Sequence, residues 1–312
     1  MPPEELCSDE WNKETINAVV SQNTGWAKKT RDFLKRLDCS LLVACVHRRQ
    51  NSPIGEIKFH NLFALAVFLI RAAVAAQPRN VGRITRAIAA LGMGRSLAAA
   101  SEDEDLNYLV EYLRFTFTRL SQLLGNKREK RKFLAKLKAD LHEFVCVLRR
   151  KEACKSNIDL RSFLLSRMKE QLWFSPNIWQ KMHYFEAFAE KFVGYNKLTY
   201  ALIEHTKLHI ALSLDGIGYS KCAAEGDGWN VIVVLERQFG ISAKEAGKVL
   251  SEMLADTKQR IEEEMKSLTE SAAPGLSRYK NTAIRKLFEY CLDSISAPVV
   301  WGAKSDYFRV DG

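Results

Sequence analysis

Leu214-Asp215-Gly216-Ile217-Gly218-Tyr219-Ser220-Lys221-Cys222-Ala223-Ala224-Glu225-Gly226-Asp227 closes one apolar helical stretch, which starts at about Thr199. It leads into another, which starts at about Trp229. A buried helix rarely ends in so dense a cluster of Asp, Lys, Glu and Asp, because each charge needs a partner or water. The stretch therefore marks a site as well as a boundary, and its neighbours on both sides are helical.

Downstream, Trp229 to Phe239 has helical spacing and stops at Gly240. Ser242 with Glu245 three residues on is a capping box, and the helix it opens runs to about Ser271. Pro274-Gly275 is a turn, a last helix spans about 277–296, and Pro298 precedes a short tail with Trp301. Upstream, 180–212 is helical, with a possible joint near Gly194, and Pro176 interrupts the chain before it. Asn157-Ile158-Asp159 caps a helix with Phe163 and Arg167, and 128–153 is a long helix. Another helix follows Ser101 and the acids Glu102 to Asp105, which suit a first turn, and ends at about Leu124. Residues 81–99 are Ala-rich, 57–77 is strongly apolar and stops at Gln77-Pro78, and 10–50 holds one or two amphipathic helices.

No strand alternation persists, and no Gly-rich phosphate loop, G-x-S-x-G or H-E-x-x-H occurs. Only 16 Gly and 7 Pro punctuate 312 residues, which favours long helices with short connections. The expected class is all-α, with about ten helices. One domain over 1–312 is expected, made of an N-terminal helical segment, 1–55, and a larger helical body, 56–312.

Seven cysteines are scattered without a C-x-x-C, which argues against a disulfide framework or zinc ribbon and for a reducing, cytoplasmic setting. The start, Met1 to Leu6, is acidic rather than apolar, so no secretory signal is expected. Leu62 to Ala76 is broken by Arg71 and too short for a membrane span. The net charge of +10 fits a polyanion as partner. The basic run Lys127 to Lys132, with Lys136 and Lys138, lacks interleaved aromatics and reads as a solvated face, so nucleic acid is not expected.

Several elements then agree in order and spacing with one family. Lys221, the turn Glu225-Gly226-Asp227, Trp229-Asn230, and Gly240-Ile241-Ser242 with Glu245-Ala246 resemble the fungal and bacterial class I terpene cyclases over roughly residues 130–310. That family has a single-domain α-helical barrel, which the resemblance implies here. Phe163, four residues before Arg167, matches the family's diphosphate-sensing helix. Arg167 precedes Leu214 by just under fifty residues, as the family's sensor precedes its magnesium motif. The resemblance makes Arg167 the sensor and Glu170 its linker. A guanidinium fork is suited to a phosphate by its paired donors; a surface Arg–Glu helix pair is the competing reading.

The tail Trp301-Gly302-Ala303-Lys304-Ser305-Asp306-Tyr307 resembles the family's Trp and Arg-Tyr ending. Asp306 stands at the Arg position, Tyr307 is kept, and Lys304 returns a positive charge as a point rather than a fork. A divergent branch, the fungal humulene synthases of tropolone-sesquiterpenoid pathways, is similar in using a Lys there. The implied activity is ionisation of a prenyl diphosphate, farnesyl diphosphate for choice, and cyclisation to a hydrocarbon such as humulene. Arg167, Lys304 and Tyr307 would be catalytic, with Phe163, Glu170, Lys221 and Trp301 binding substrate.

The departures concern metal. The positions of the family's magnesium ligands are Leu214, Gly218 and Cys222 here, and the segment Arg71 to Gln77 lacks the family's acidic cluster. Oxygen donors suit magnesium, which leaves Asp215 as the metal residue and implies fewer ions than the family's usual three. His205 and His209, at i and i+4, have metal-ligand spacing but no third ligand in view, and read as packing or hydrogen-bonding groups. Phe163 and Trp301 are the aromatics chosen as pocket wall, where π faces stabilise cations. A monomer or homodimer is expected. The alternative is the same helical fold with its chemistry lost, binding a prenyl diphosphate or RNA.

Overall fold

The computed structural model describes residues 28–47, 54–91, 104–123, 127–154, 157–174, 193–272 and 278–309. The described residues are helical, with short turns and no strand. Contacts divide the chain into two compact units: 1–43 with 53–154, and 44–52 with 155–312. The expected cap at Ser101, the breaks at Pro176 and Pro274-Gly275, and residues 10–27 lie outside the described residues.

At the start of the described chain, α1 (Lys28–Leu37) and α2 (Cys39–Val46) are separated by Asp38 alone. Asp38 has φ 41°, and its carboxylate accepts from the Leu41 N–H at 3.3 Å. A short polar side chain makes that left-handed conformation tolerable and starts α2. Next comes α3 (Ile54–Ala76), in which Phe63 to Ile70 are all buried. A helix hydrophobic all round must be covered on every side; α5 (Glu104–Leu123) and α6 (Lys127–Cys154) both pack on it. The Tyr112 hydroxyl of α5 donates to the Leu62 carbonyl at 2.9 Å. Gln77 is extended ahead of Pro78, as a residue before proline must be. The 3-10 turn Pro78–Asn80 then feeds α4 (Val81–Ala90), which packs on α6.

The second unit positions the candidate site. Asp159 caps α7 (Leu160–Glu170), accepting from the Ser162 N–H at 2.9 Å. Then α8 (Val193–Glu225) runs unbroken, and the stretch 214–225 is the helix's own last three turns; the piece expected before a joint near Gly194 lies outside the described residues. The chain leaves it through Gly226, whose φ of 64° suits glycine. Asn230 caps α9 (Val231–Phe239) by accepting from the Ile232 N–H at 2.9 Å, and Gly240 at φ 65° ends it. The Ser242–Glu245 capping box opens α10 (Ala243–Ala272): the Ser242 N–H donates to Glu245 Oε2 at 2.9 Å, and the Glu245 N–H to Ser242 Oγ at 3.3 Å.

The last helix, α11 (Arg278–Lys304), continues through Pro298. An interior proline costs a helix about 3 kcal/mol, so the sequence suggests a stop. Packing on both sides of it reverses that: Ala297 and Trp301 are buried. Trp301 and Lys304 are thus helical, and the 3-10 turn Asp306–Phe308 is the tail. Along its length α8 packs against α10 and α11, with α7 and α9 on it as well. Phe163, Leu212, Trp229, Val231, Ile232, Val234, Leu235, Ala246 and Leu250 form the core where α7 to α10 meet.

Candidate active site

Arg167 is 3% exposed on the last turns of α7. Its guanidinium takes Asp215 of α8 on one edge, through Nη2 to Oδ1 and Nε to Oδ2, and Glu170 Oε2 on Nη1 at 2.6 Å. Both carboxylates are buried too. Glu170 Oε1 accepts the Trp229 indole N–H at 2.5 Å. Asp215 Oδ2 accepts the Val231 N–H at 3.0 Å, and the Asp215 carbonyl accepts from the Asn230 side-chain amide at 2.7 Å. One knot therefore ties α7, α8 and the start of α9. The α9 N-terminus contributes its free N–H to a carboxylate, as helix starts favour.

Burial alone would lower the Arg167 pKa, but Asp215 and Glu170 more than reverse it and hold it above the ordinary value. The guanidinium stays charged. Burial pushes the Asp215 carboxyl above its ordinary value, against the pull of Arg167 and the Val231 amide. With both acids ionised, one positive charge meets two negative ones. An anion reaching Arg167 would meet a guanidinium already paired with two carboxylates.

The same geometry bears on metal. Both Asp215 oxygens already accept from N–H donors. Beside it on α8, Leu214 is buried core and Cys222 is a half-buried thiol. A Cβ on Gly218 would lie 3.3 Å from the Phe308 ring, so that position is packed by the tail instead of carrying a ligand. A magnesium ion needs open oxygen donors, and the residues around Asp215 do not fit it. Among the described residues, no group of three or more His, Cys, Asp or Glu is arranged to hold a metal.

A second cluster lies at the end of α8. Half-buried Lys221 donates to the Tyr307 carbonyl at 2.7 Å and stands 4.7 Å from the centre of the Tyr307 ring. That ring stacks on Trp301 at 5.3 Å, and Phe308 meets both edge-on. Gly302 lets α11 approach: a Cβ there would sit 2.7 Å from Ile217 Cγ2. Lys304 is exposed on the last turn of α11. The structure thus brings Lys221, Trp301 and Tyr307 together at one end, and Phe163, Arg167, Glu170 and Asp215 at the α7–α8–α9 knot.

Phe163 is fully buried and meets Trp229 edge-to-face at 5.2 Å. Trp229 is the residue the sequence undersold: its indole N–H holds Glu170, and a buried indole needs such an acceptor. His205 Nδ1 lies 2.7 Å from Glu264 Oε1, and His209 Nδ1 2.9 Å from Thr257 Oγ1, so both histidines bond to α10. Thr257 gives its one proton to its own helix carbonyls, which makes His209 Nδ1 the donor. Burial holds His209 below the ordinary imidazole value.

No family model and no curated protein matches the sequence. Solved structures do match the fold. Hedycaryol synthase in complex with HEPES aligns with a TM-score of 0.72 at 16% identity, over 94% of this chain and 93% of that one. Wild-type cucumene synthase aligns with a TM-score of 0.68 at 13% identity, over 96% of each chain. Linalool/nerolidol synthase from Streptomyces clavuligerus aligns with a TM-score of 0.69 at 10% identity, over 94% and 95%. These identities establish the architecture alone: the chain has the all-α fold of the class I terpene synthases.

Proposed function

We propose that this protein is a terpene cyclase that ionises a linear prenyl diphosphate. The supporting observation is the shared fold, which spans nearly the whole of this chain and of the synthases it resembles. The specific reading is farnesyl diphosphate as substrate and a cyclic hydrocarbon such as humulene as product, as in the divergent fungal branch, with residues 1–312 acting as one domain, as a monomer or homodimer.

The allylic C–O bond breaks, and diphosphate leaves with the electron pair. Its charge must be neutralised for that to be fast. Lys221 and Lys304 supply positive charge, and Tyr307 holds Lys221 in place. Arg167 joins when a phosphate oxygen displaces the Asp215 carboxylate, while Glu170 stays on the guanidinium. Phe163 and Trp301 are the aromatic walls proposed for the cation. Since Asp215 does not fit magnesium, no step is routed through a metal.

A second reading has one observation behind it. Arg167 is already paired with two buried carboxylates, as in a helical protein that keeps the fold and has lost the chemistry. The two separate in one experiment. The protein is incubated with C10, C15 and C20 prenyl diphosphates, with and without magnesium, and the headspace is analysed by gas chromatography. A cyclic C15 product supports the cyclase. No product from any of them, with saturable binding of a farnesyl thiolodiphosphate by calorimetry, supports the binder. Neither product nor binding removes both.

A further inference from the structure

The 3-10 turn Asp306–Phe308 is anchored by one ring. Phe308 is half-buried, and glycines from two helices meet opposite edges of it. A Cβ on Gly218 of α8 would lie 3.3 Å from Phe308 Cε1 and 3.4 Å from Cδ1. One on Gly302 of α11, which also admits Ile217, would lie 3.5 Å from Phe308 Cδ2. Glycine weakens a helix interior, so a glycine on each of two helices around one ring marks a seat built for it. Trp301 and Tyr307 meet the same ring edge-on, at 5.2 and 4.9 Å. Another tie in the turn is the exposed Asp306–Arg309 ion pair, and such pairs hold little.

The seat fixes a peptide. The Tyr307 carbonyl carbon is bonded to the Phe308 nitrogen in one plane, so the place of the ring sets the carbonyl oxygen. That oxygen accepts from Lys221 Nζ at 2.7 Å, and the ammonium stands 4.7 Å from the centre of the Tyr307 ring. The carbonyl takes one of the three ammonium donors. A lysine side chain is long and loses rotamer freedom when it binds an anion. A lysine already held loses less, and binds the anion more tightly for it.

We propose that Phe308 is a positioning residue: clamped between Gly218 and Gly302, it holds the Tyr307 carbonyl where that carbonyl fixes the Lys221 ammonium for the diphosphate of the substrate. This rests on the prenyl diphosphate reading above. Phe308 acts through Lys221, and its removal loosens the lysine while leaving the α7–α8–α9 knot in place.

The test uses the full chain as wild type, Phe308→Ala, Phe308→Tyr, Lys221→Met and the double variant Phe308→Ala, Lys221→Met, each shown to fold by its urea midpoint. The first readout is acetylation of the Lys221 amine by acetic anhydride, followed by peptide mass spectrometry. It is expected to run about threefold faster or more in Phe308→Ala, the weight of a lost hydrogen bond. In Phe308→Tyr, which keeps the ring, it stays at the wild-type rate. An unchanged rate in Phe308→Ala overturns the positioning role. The second readout is calorimetric titration with farnesyl thiolodiphosphate. Phe308→Ala is expected to bind about three- to tenfold more weakly than the wild type, the weight of ordering one long side chain. In the Lys221→Met background the same substitution changes nothing, because the residue it positions is gone. A merely structural ring would weaken both backgrounds alike, and that result overturns the proposal. If the wild type binds no farnesyl thiolodiphosphate, the prenyl reading falls and the diphosphate role with it, while the acetylation rates still decide whether Phe308 holds Lys221.

Discussion

The α7–α8–α9 knot and the end of α8 each hold a cation, yet they are built in opposite ways. At the knot, Arg167 is buried and answered by two buried carboxylates, which also accept from an indole and a helix N-terminus. At the end of α8, Lys221 is half-buried, bonds to a backbone carbonyl and lies over a tyrosine ring. The first arrangement satisfies its charge internally and fixes three helices. The second leaves a cation whose three donors are not all needed by the fold. In the proposed cyclase, Arg167 would reach the diphosphate only by giving up Asp215, whereas Lys221 would keep its bond to the Tyr307 carbonyl.

That contrast is broken most forcefully at Arg167. Replacing it with Met leaves Asp215 and Glu170 buried without their cation, and unfolding stability in urea is expected to drop by about 3–5 kcal/mol. A drop near zero would mean that the knot is not a staple. At the other region the largest effect is steric. Gly302→Ala pushes a Cβ to 2.7 Å from Ile217 Cγ2, and about 1–3 kcal/mol of overpacking is expected in the same assay. Lys221→Met removes one charge-assisted bond and one ring contact, and about 1 kcal/mol is expected. If Lys221→Met costs as much as Arg167→Met, the distinction between the regions fails.

The smallest effect is a difference of sign with pH. Hydrogen bonds from Ser162 hold Asp159 below its ordinary 3.8, and those from Ser242 hold Glu245 below its ordinary 4.5. Their folded values lie under their unfolded ones, so their stabilisation is present above those ordinary values and is lost as pH falls through the folded ones. Asp215 runs the other way: burial raises its value, so the folded state binds its proton more tightly, and its contribution falls as pH rises from 3.8 through the raised value. Urea midpoints measured across that acid range should therefore lose less on acidification in the doubly substituted Asp159→Asn, Glu245→Gln protein than in the wild type. An identical loss would contradict the capping roles.

Much of this architecture was legible in local residues. Asp159, Ser242 with Glu245, Gly240 and Gln77-Pro78 mark helix ends by chemistry within a few positions, and the helices begin and end there. Pro298 misled for the same reason: the local rule is right about the missing hydrogen bond, and the burial of Trp301 that outweighs it is not local. Asp215 has the residue type and setting of a metal ligand. Its partner stands on another helix, far away in sequence, and nothing near Asp215 announces it. Gly218, a gap when compared with the family's ligand pattern, is where the Phe308 ring packs. Side-chain pairing across helices was the illegible part in each case.

The division of labour between the two regions is tested most directly by calorimetric titration of farnesyl thiolodiphosphate into the wild type and Lys221→Met, with urea stability measured alongside. The account predicts saturable binding to the wild type and binding weakened about tenfold or more in the variant, a loss of at least about 1.4 kcal/mol for a charge-assisted phosphate contact, while unfolding stability falls by no more than the about 1 kcal/mol expected for its bond and ring contact. Equal affinity in the two proteins, or no binding to the wild type, would contradict it.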